Sequence, residues 1–213
     1  MKNKKRYEMI FLDWKGTLSD SLFWSQLADP GHERHGWRKN ITDFVFIDNQ
    51  SLADRLMKGE FGEEYIAELI SGKFGYSKDL VLEYLAESCR SMELVSDEIL
   101  EVVGRIRSKG IECVIATDNM DTFMRHTKPA MGLEDHFDDF LVSFERKVLK
   151  FDVGDNAIPF FDDYLNGKKL SYEDVLLIDD RIDKSGTYDR LGFEILQIYD
   201  ARDLVEKLKE LAY

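Results

Sequence analysis

The stretch 9-MIFLDWKGTLSD-20 is an apolar run that ends on Asp13 and then breaks into Trp14-Lys15-Gly16-Thr17-Leu18. A short continuous apolar run closing on a carboxylate reads as a buried strand that delivers an acid into a loop. Four more runs of strand length follow: 112-ECVIAT-117, 140-FLVS-143, 174-DVLLID-179 and 193-FEILQIY-199. Several are continuous rather than alternating, as expected of strands covered on both faces of a parallel sheet. Helical patterns lie between them. Ile99, Leu100, Val103 and Ile106 form one apolar stripe, with Ser96 placed to cap it, Asp97 and Glu98 at its positive end and Gly110 to close it. Leu204, Val205, Leu208 and Leu211 repeat the spacing. Strands alternating with helices from about residue 95 onward predict an α/β fold built on a doubly wound parallel sheet.

The middle of the chain reads differently. Between residues 20 and 94 only 43-DFVFID-48 resembles a strand, and the later part is helical over Ser51 to Met57, Glu63 to Ile70 and Lys78 to Leu85, with Gly59, Gly62, Gly72 and Gly75 as punctuation. The economical reading is a helical insertion after the first strand. Residues 1–19 and 95–213 then form the α/β core and residues 20–94 the insertion. No internal repeat or low-complexity tract interrupts this pattern.

Composition narrows the function classes. The chain has 213 residues, 44% of them apolar and 12% aromatic, enough to bury a substantial core and to argue against disorder. A net charge of −13 disfavours nucleic acids and anionic membranes as partners, because both are bound by neutralising phosphates. A site for an anionic substrate would need its own positive groups or a metal. Two cysteines, Cys89 and Cys113, give no disulfide framework, and Cys113 sits in an apolar run that reads as buried. The basic start at residues 2–6 is not followed by the apolar region of a secretory leader, and no run has the roughly 20 apolar residues of a membrane span. A cytoplasmic location is the expectation.

In an open α/β sheet, ligands bind beyond the carboxyl ends of the strands. The first strand ends at Asp13, the second at Thr117-Asp118-Asn119 and the fourth at Asp179-Asp180, and Lys150 follows the third after a short loop. Their convergence on one crevice is more informative than any one of them.

This set resembles the haloacid dehalogenase (HAD) superfamily, whose members mostly hydrolyse phosphate esters through an aspartyl-phosphate. Asp13 and Gly16-Thr17-Leu18 match the nucleophile and the turn after it. Thr117 matches the hydroxyl that holds the phosphoryl group, although a plain helix-cap role is the alternative for it. Lys150, seven residues past Ser143, matches the third-motif lysine better than Lys147 does, with Phe151 where a proline is usual. Asp180, with Asp179 beside it, matches the metal-ligating acid, and Gly192 the glycine before the last strand. The resemblance implies a HAD-like Rossmannoid core with the insertion as a C1-type helical cap. It implies magnesium held by Asp13, Asp179, Asp180 and the backbone carbonyl of Lys15. It also implies a small phosphorylated substrate or ligand bound by Thr117, Asp118, Asn119 and Lys150.

Two positions depart from the family pattern. Lys15 stands where a second acid normally protonates the leaving group and activates water, and a charged ammonium cannot accept that proton. Lys184 stands four residues after Asp180, where a further acid is frequent, and Asp183 lies one position short. Three readings follow. The protein is a magnesium-dependent phosphatase with a compromised acid/base position, a catalytically weak or inactive HAD-fold binding protein, or a metal-independent 2-haloacid dehalogenase-like hydrolase in which lysines replace the metal's charge.

Other signals read as ordinary. His32, Glu33 and His35 in 31-GHERHGWRKN-40 are only half a metal site, while Trp37, Arg34 and Arg38 suit either a substrate-facing loop or a solvated one. Glu134-Asp135 and Asp138-Asp139 read as solvated faces, and the phenylalanines as too dispersed to form a patch.

Overall fold

The computed structural model describes residues 7–213; the basic run at residues 2–6 lies outside them. Five strands, β1 (Met9–Leu12), β2 (Glu112–Thr117), β3 (Asp139–Val142), β4 (Val175–Asp179) and β5 (Glu194–Gln197), form one sheet in the order β3-β2-β1-β4-β5. Every pairing is parallel. β1 is central, and Leu12 is in register with Ile115 of β2 and Ile178 of β4. The three strand ends that carry Asp13, Thr117 and Asp179 therefore lie side by side.

Alternation along each strand feeds two separate cores. Ile10, Leu12, Cys113, Ile115, Leu176 and Ile178 face one side, where α5 (Glu98–Ser108) and α10 (Ala201–Ala212) pack. Met9, Phe11, Val114, Ala116, Val175 and Leu177 face the other, covered by α8 (Pro159–Lys168) and α9 (Thr187–Leu191). On that second face the phenylalanines do gather: Phe161 lies 4.7 Å from Phe11 and 5.0 Å from Phe193, ring centre to centre. They come from separate segments, so their spacing along the chain hid the cluster.

Residues 20–94 hold four helices, α1 (Trp37–Thr42), α2 (Gln50–Met57), α3 (Glu63–Phe74) and α4 (Lys78–Arg90). The strand suggested at 43-DFVFID-48 is not one. It is a wide helical turn over Asp43–Ile47, in which Asp48 N–H reaches the Asp43 carbonyl at 2.8 Å. Only Val45 of that turn is fully buried, so the apolar residues serve a helical face rather than a sheet. α3 and α4 run four and five residues beyond their sequence-based ends, to Phe74 and Arg90. The short helices α6 (Lys128–Met131) and α7 (Ser143–Arg146) complete the set.

Asp138 also departs from expectation. Rather than lining a solvated face, it accepts the Cys113 backbone N–H at 2.8 Å and a fork of bonds from Arg107, at 2.8 and 3.1 Å to Oδ1. It joins the start of β2 to α5. Among the described residues no helix is long and apolar enough to cross a membrane.

Candidate active site

The loop after β1 is closed by its own backbone. Leu18 N–H returns to the Asp13 carbonyl at 3.3 Å and Ser19 N–H to the Trp14 carbonyl at 2.8 Å. Gly16 makes the turn possible with a φ of 85°, and a Cβ there would stand 2.6 Å from Asp180 Oδ2. The same loop fixes the end of β4, because Thr17 Oγ1 accepts the Asp180 N–H at 3.1 Å. The glycine-threonine pair thus sets the spacing between the β1 and β4 acids.

Lys150 is completely buried, and its ammonium donates to both Asp13 Oδ1 and Asp179 Oδ2, the latter at 2.5 Å. Its backbone is held as firmly. Lys150 N–H donates to Asp118 Oδ1 at 2.8 Å, and the Tyr188 hydroxyl donates to the Lys150 carbonyl at 2.5 Å. Lys147, the alternative, is exposed and bonds the Gly59 carbonyl at 2.8 Å. Arg181 supplies a second cation that the sequence reading did not single out. It donates to Asp118 Oδ2 at 2.9 Å and lies 3.7 Å from Asp179 Oδ1, with its guanidinium 5.0 Å from the Phe151 ring centre. The residue that replaces the usual proline is therefore the surface on which this arginine rests. A basic residue directly after the Asp179-Asp180 pair was the available signal.

These contacts set the ionisation of the site. Burial pushes the Asp13 carboxyl up to about 7, with Lys150 pulling down and Asp179 adding to the rise. For Asp179 burial also acts upward, but Lys150 and Arg181 together hold it below the usual carboxylate range. Asp180 is raised by burial and by its neighbour Asp179. Burial alone would lower the Lys150 ammonium, yet Asp13 and Asp179 keep it raised and charged.

Among the buried side-chain atoms without partners, two belong to these strand ends, Thr117 Oγ1 and Asp180 Oδ1. Leaving such groups unmade costs free energy, so a site that keeps them is shaped for something that satisfies them. Asp13, Asp179 and Asp180 each offer an oxygen, all within 4.8 Å of one another, and hard carboxylate oxygens suit magnesium. The residues fit the ion. Thr117 does not cap a helix; its hydroxyl is free for a ligand oxygen. Asp118 and Asn119 face the same cleft but are engaged: both Asp118 oxygens have partners, and Asn119 Oδ1 accepts the Met120 N–H at 2.9 Å. Ser143, used in the sequence only as a spacing marker, accepts the Asn119 N–H at 2.9 Å and donates to the Met57 carbonyl at 2.7 Å, tying the site to α2.

The two lysines of the departures do not enter the acid cluster. Lys15 Nζ donates to the Asp20 carbonyl at 2.7 Å and lies 3.7 Å from its carboxylate. Lys184 is exposed, and Asp183 organises its own loop by accepting from Ser185 and Tyr188 N–H groups. In the insertion, Trp37 stacks on Tyr76 at 3.9 Å, Arg34 rests near the Trp37 ring and His32 accepts the Arg34 N–H. Of the residues singled out in 31-GHERHGWRKN-40, Arg38 is the one that lines a cleft with Trp14, Lys15, Asp118 and Asn119.

The fold is shared with solved structures at low identity. A HAD family enzyme from Bacteroides thetaiotaomicron, as its magnesium complex, superposes with a TM-score of 0.65 at 14% identity over 93% of this chain and 96% of that one. Its wild-type form in complex with magnesium and inorganic phosphate gives 0.62, also at 14% identity, over 92% and 96%. An L-2-haloacid dehalogenase from Xanthobacter autotrophicus gives 0.61 at 14% identity, over 96% of this chain and 83% of that one. No curated protein matches in sequence. The family model for haloacid dehalogenase-like hydrolases spans residues 7–184, and with them the loop after β1, residues 20–94, Lys150 and the paired aspartates: the chain belongs to the haloacid dehalogenase-like hydrolases.

Proposed function

We propose that this hydrolase is a magnesium-dependent phosphatase of a small phosphorylated metabolite, with residues 20–94 as a cap over the site. The observation that carries the reading is the pairing of a buried, lysine-held Asp13 with two unpartnered buried oxygens, Thr117 Oγ1 and Asp180 Oδ1. Magnesium, held by Asp13, Asp179, Asp180 and the Lys15 carbonyl, would supply charge that offsets repulsion between carboxylate and phosphate. Lys150 fixes Asp13 through Oδ1, which leaves Oδ2 outside that bond for attack on phosphorus. The new Asp13–phosphorus bond replaces the bond to the leaving alcohol oxygen. The Lys150 ammonium and the Thr117 hydroxyl are the groups that stabilise the equatorial oxygens. Water then cleaves the acyl phosphate, releasing inorganic phosphate and restoring the carboxylate.

The leaving oxygen takes its proton from water, because Lys15 is tied to Asp20 and the acid/base position is otherwise empty. Turnover is expected to be slow and best for esters with good leaving groups. The same observation supports the second reading, a HAD-fold protein that binds a phosphorylated ligand without turning it over.

The test is phosphate release from p-nitrophenyl phosphate with magnesium, with EDTA, and in Asp13→Asn. Release that requires magnesium and disappears in the variant is expected. Release that persists in Asp13→Asn refutes the mechanism. No release, with phosphate still bound, selects the binding protein. Halide release from 2-chloropropionate without metal selects the dehalogenase-like reading.

A further inference from the structure

Beside the acid cluster lies a cleft of about 360 Å³, within the roughly 300–1,000 Å³ of small-ligand sites. Its walls come from both the core and the insertion, and they are mainly apolar: Trp14, Phe23, Phe46, Ile47, Met57 and Met92. Phe23 and Phe46 stack at 6.1 Å with their planes 19° apart, and Ile47 is 65% exposed at this wall. The polar side chains that also line it are mostly spoken for inside the protein. Lys15 and Asn119 bond as described above, both Asp118 oxygens are taken, Thr42 donates to the Lys39 carbonyl at 3.3 Å, and Ser21 accepts the Glu93 N–H at 3.0 Å. Arg38 is the exception. Its Nε is buried without a hydrogen-bond partner, and among the described residues it makes no ion pair.

A guanidinium whose Nε is buried without a partner gains a hydrogen bond when a ligand anion meets it, and its planar fork suits a carboxylate. A polyol would have the opposite difficulty, because its hydroxyls would lose water and find few free partners there. We propose that the cleft selects phosphate esters whose leaving group is apolar and carries one carboxylate, which Arg38 binds. The inference rests on the phosphatase reading for the word ester, but the ligand class can be tested without turnover.

The probes are non-hydrolysable: benzylphosphonate, 4-carboxybenzylphosphonate and 2,3-dihydroxypropylphosphonate, titrated calorimetrically into the full-length protein with magnesium present. The carboxylated aryl compound is expected to bind about 10- to 100-fold more tightly than benzylphosphonate, as one charge-assisted pair provides. The dihydroxypropyl compound should bind most weakly. In Arg38→Gln the ratio between the two aryl compounds should collapse toward one, and Arg38→Lys should recover part of it. Equal affinities in the wild type, an unchanged ratio in Arg38→Gln, or no binding by any probe would each overturn the proposal. The corresponding phosphate esters report the reaction separately. If none releases phosphate while the binding ratio holds, the phosphatase reading fails and the ligand class stands.

Discussion

At the residue scale, the site turns on one buried ammonium shared by two carboxylates. Removing it leaves two buried acids without their counter-charge, so Lys150→Met should destabilise the protein by about 3–5 kcal/mol, read from urea unfolding. Combining it with Asp13→Asn, which removes one of those acids, should recover part of the loss; an additive result would refute the shared-charge account. Lys15 invites the opposite experiment. If the acid/base position is empty, Lys15→Asp should raise kcat on p-nitrophenyl phosphate by about 10²-fold or more, and a flat or falling kcat would show that more than the proton shuttle is missing. Gly16→Ala should weaken magnesium binding and lower stability together, because its Cβ meets Asp180 and φ is positive; an unchanged magnesium titration would contradict the role given to that turn.

At the element scale, legibility followed local pattern. The five strands could be read within a residue or two because each is a short apolar run ending in polar residues. Asp13 and Asp180 share one crevice as their strand ends implied, while the choice of Lys150 over Lys147 rested on the family resemblance. What could not be read depended on contacts between distant segments. Arg181 is exposed enough to look like a solvated cation, and only the fold brings Asp118 and Phe151 to it. The stretch 43-DFVFID-48 has strand-like composition, but burying only one of its faces against helices makes it a wide helical turn. Asp138 looked solvated because its partners, Arg107 and the start of β2, lie more than twenty residues earlier. Asp138→Ala should therefore cost about 1–3 kcal/mol, measured by urea midpoint, whereas Asp135→Ala, whose side chain has no such bonds, should cost little.

At the scale of the whole molecule, the two cysteines report on the integrity of both the sheet, through Cys113 in β2, and the helical segment after β1, through Cys89 in α4. Burial pushes the Cys89 and Cys113 thiols up to about 12 from an ordinary 9.0. The folded chain thus holds protons that the unfolded chain releases above pH 9. Their contribution is whole below pH 9 and is lost as pH rises from 9 toward 12. Tyr172, raised to about 12 by burial and by Asp162, acts in the same direction above its ordinary 10.0. Urea midpoints should fall between pH 8 and pH 10.5, and a thiol-alkylating reagent should modify neither cysteine in the native protein at pH 8 while modifying both in denaturant. Rapid native labelling of Cys113 would mean that the sheet opens far more readily than its complete burial implies.

The sheet order has a consequence for synthesis on the ribosome. β1 emerges first, yet Met9–Leu12 is paired on one side by residues 112–115 and on the other by residues 175–178. A nascent chain that has emerged only as far as residue 94 carries an apolar strand with both edges open, a known hazard for pairing with other chains. Lys150 precedes Asp179 in the chain, so a chain stopped just short of β4 would contain Asp13 and its lysine partner but leave one edge of β1 bare.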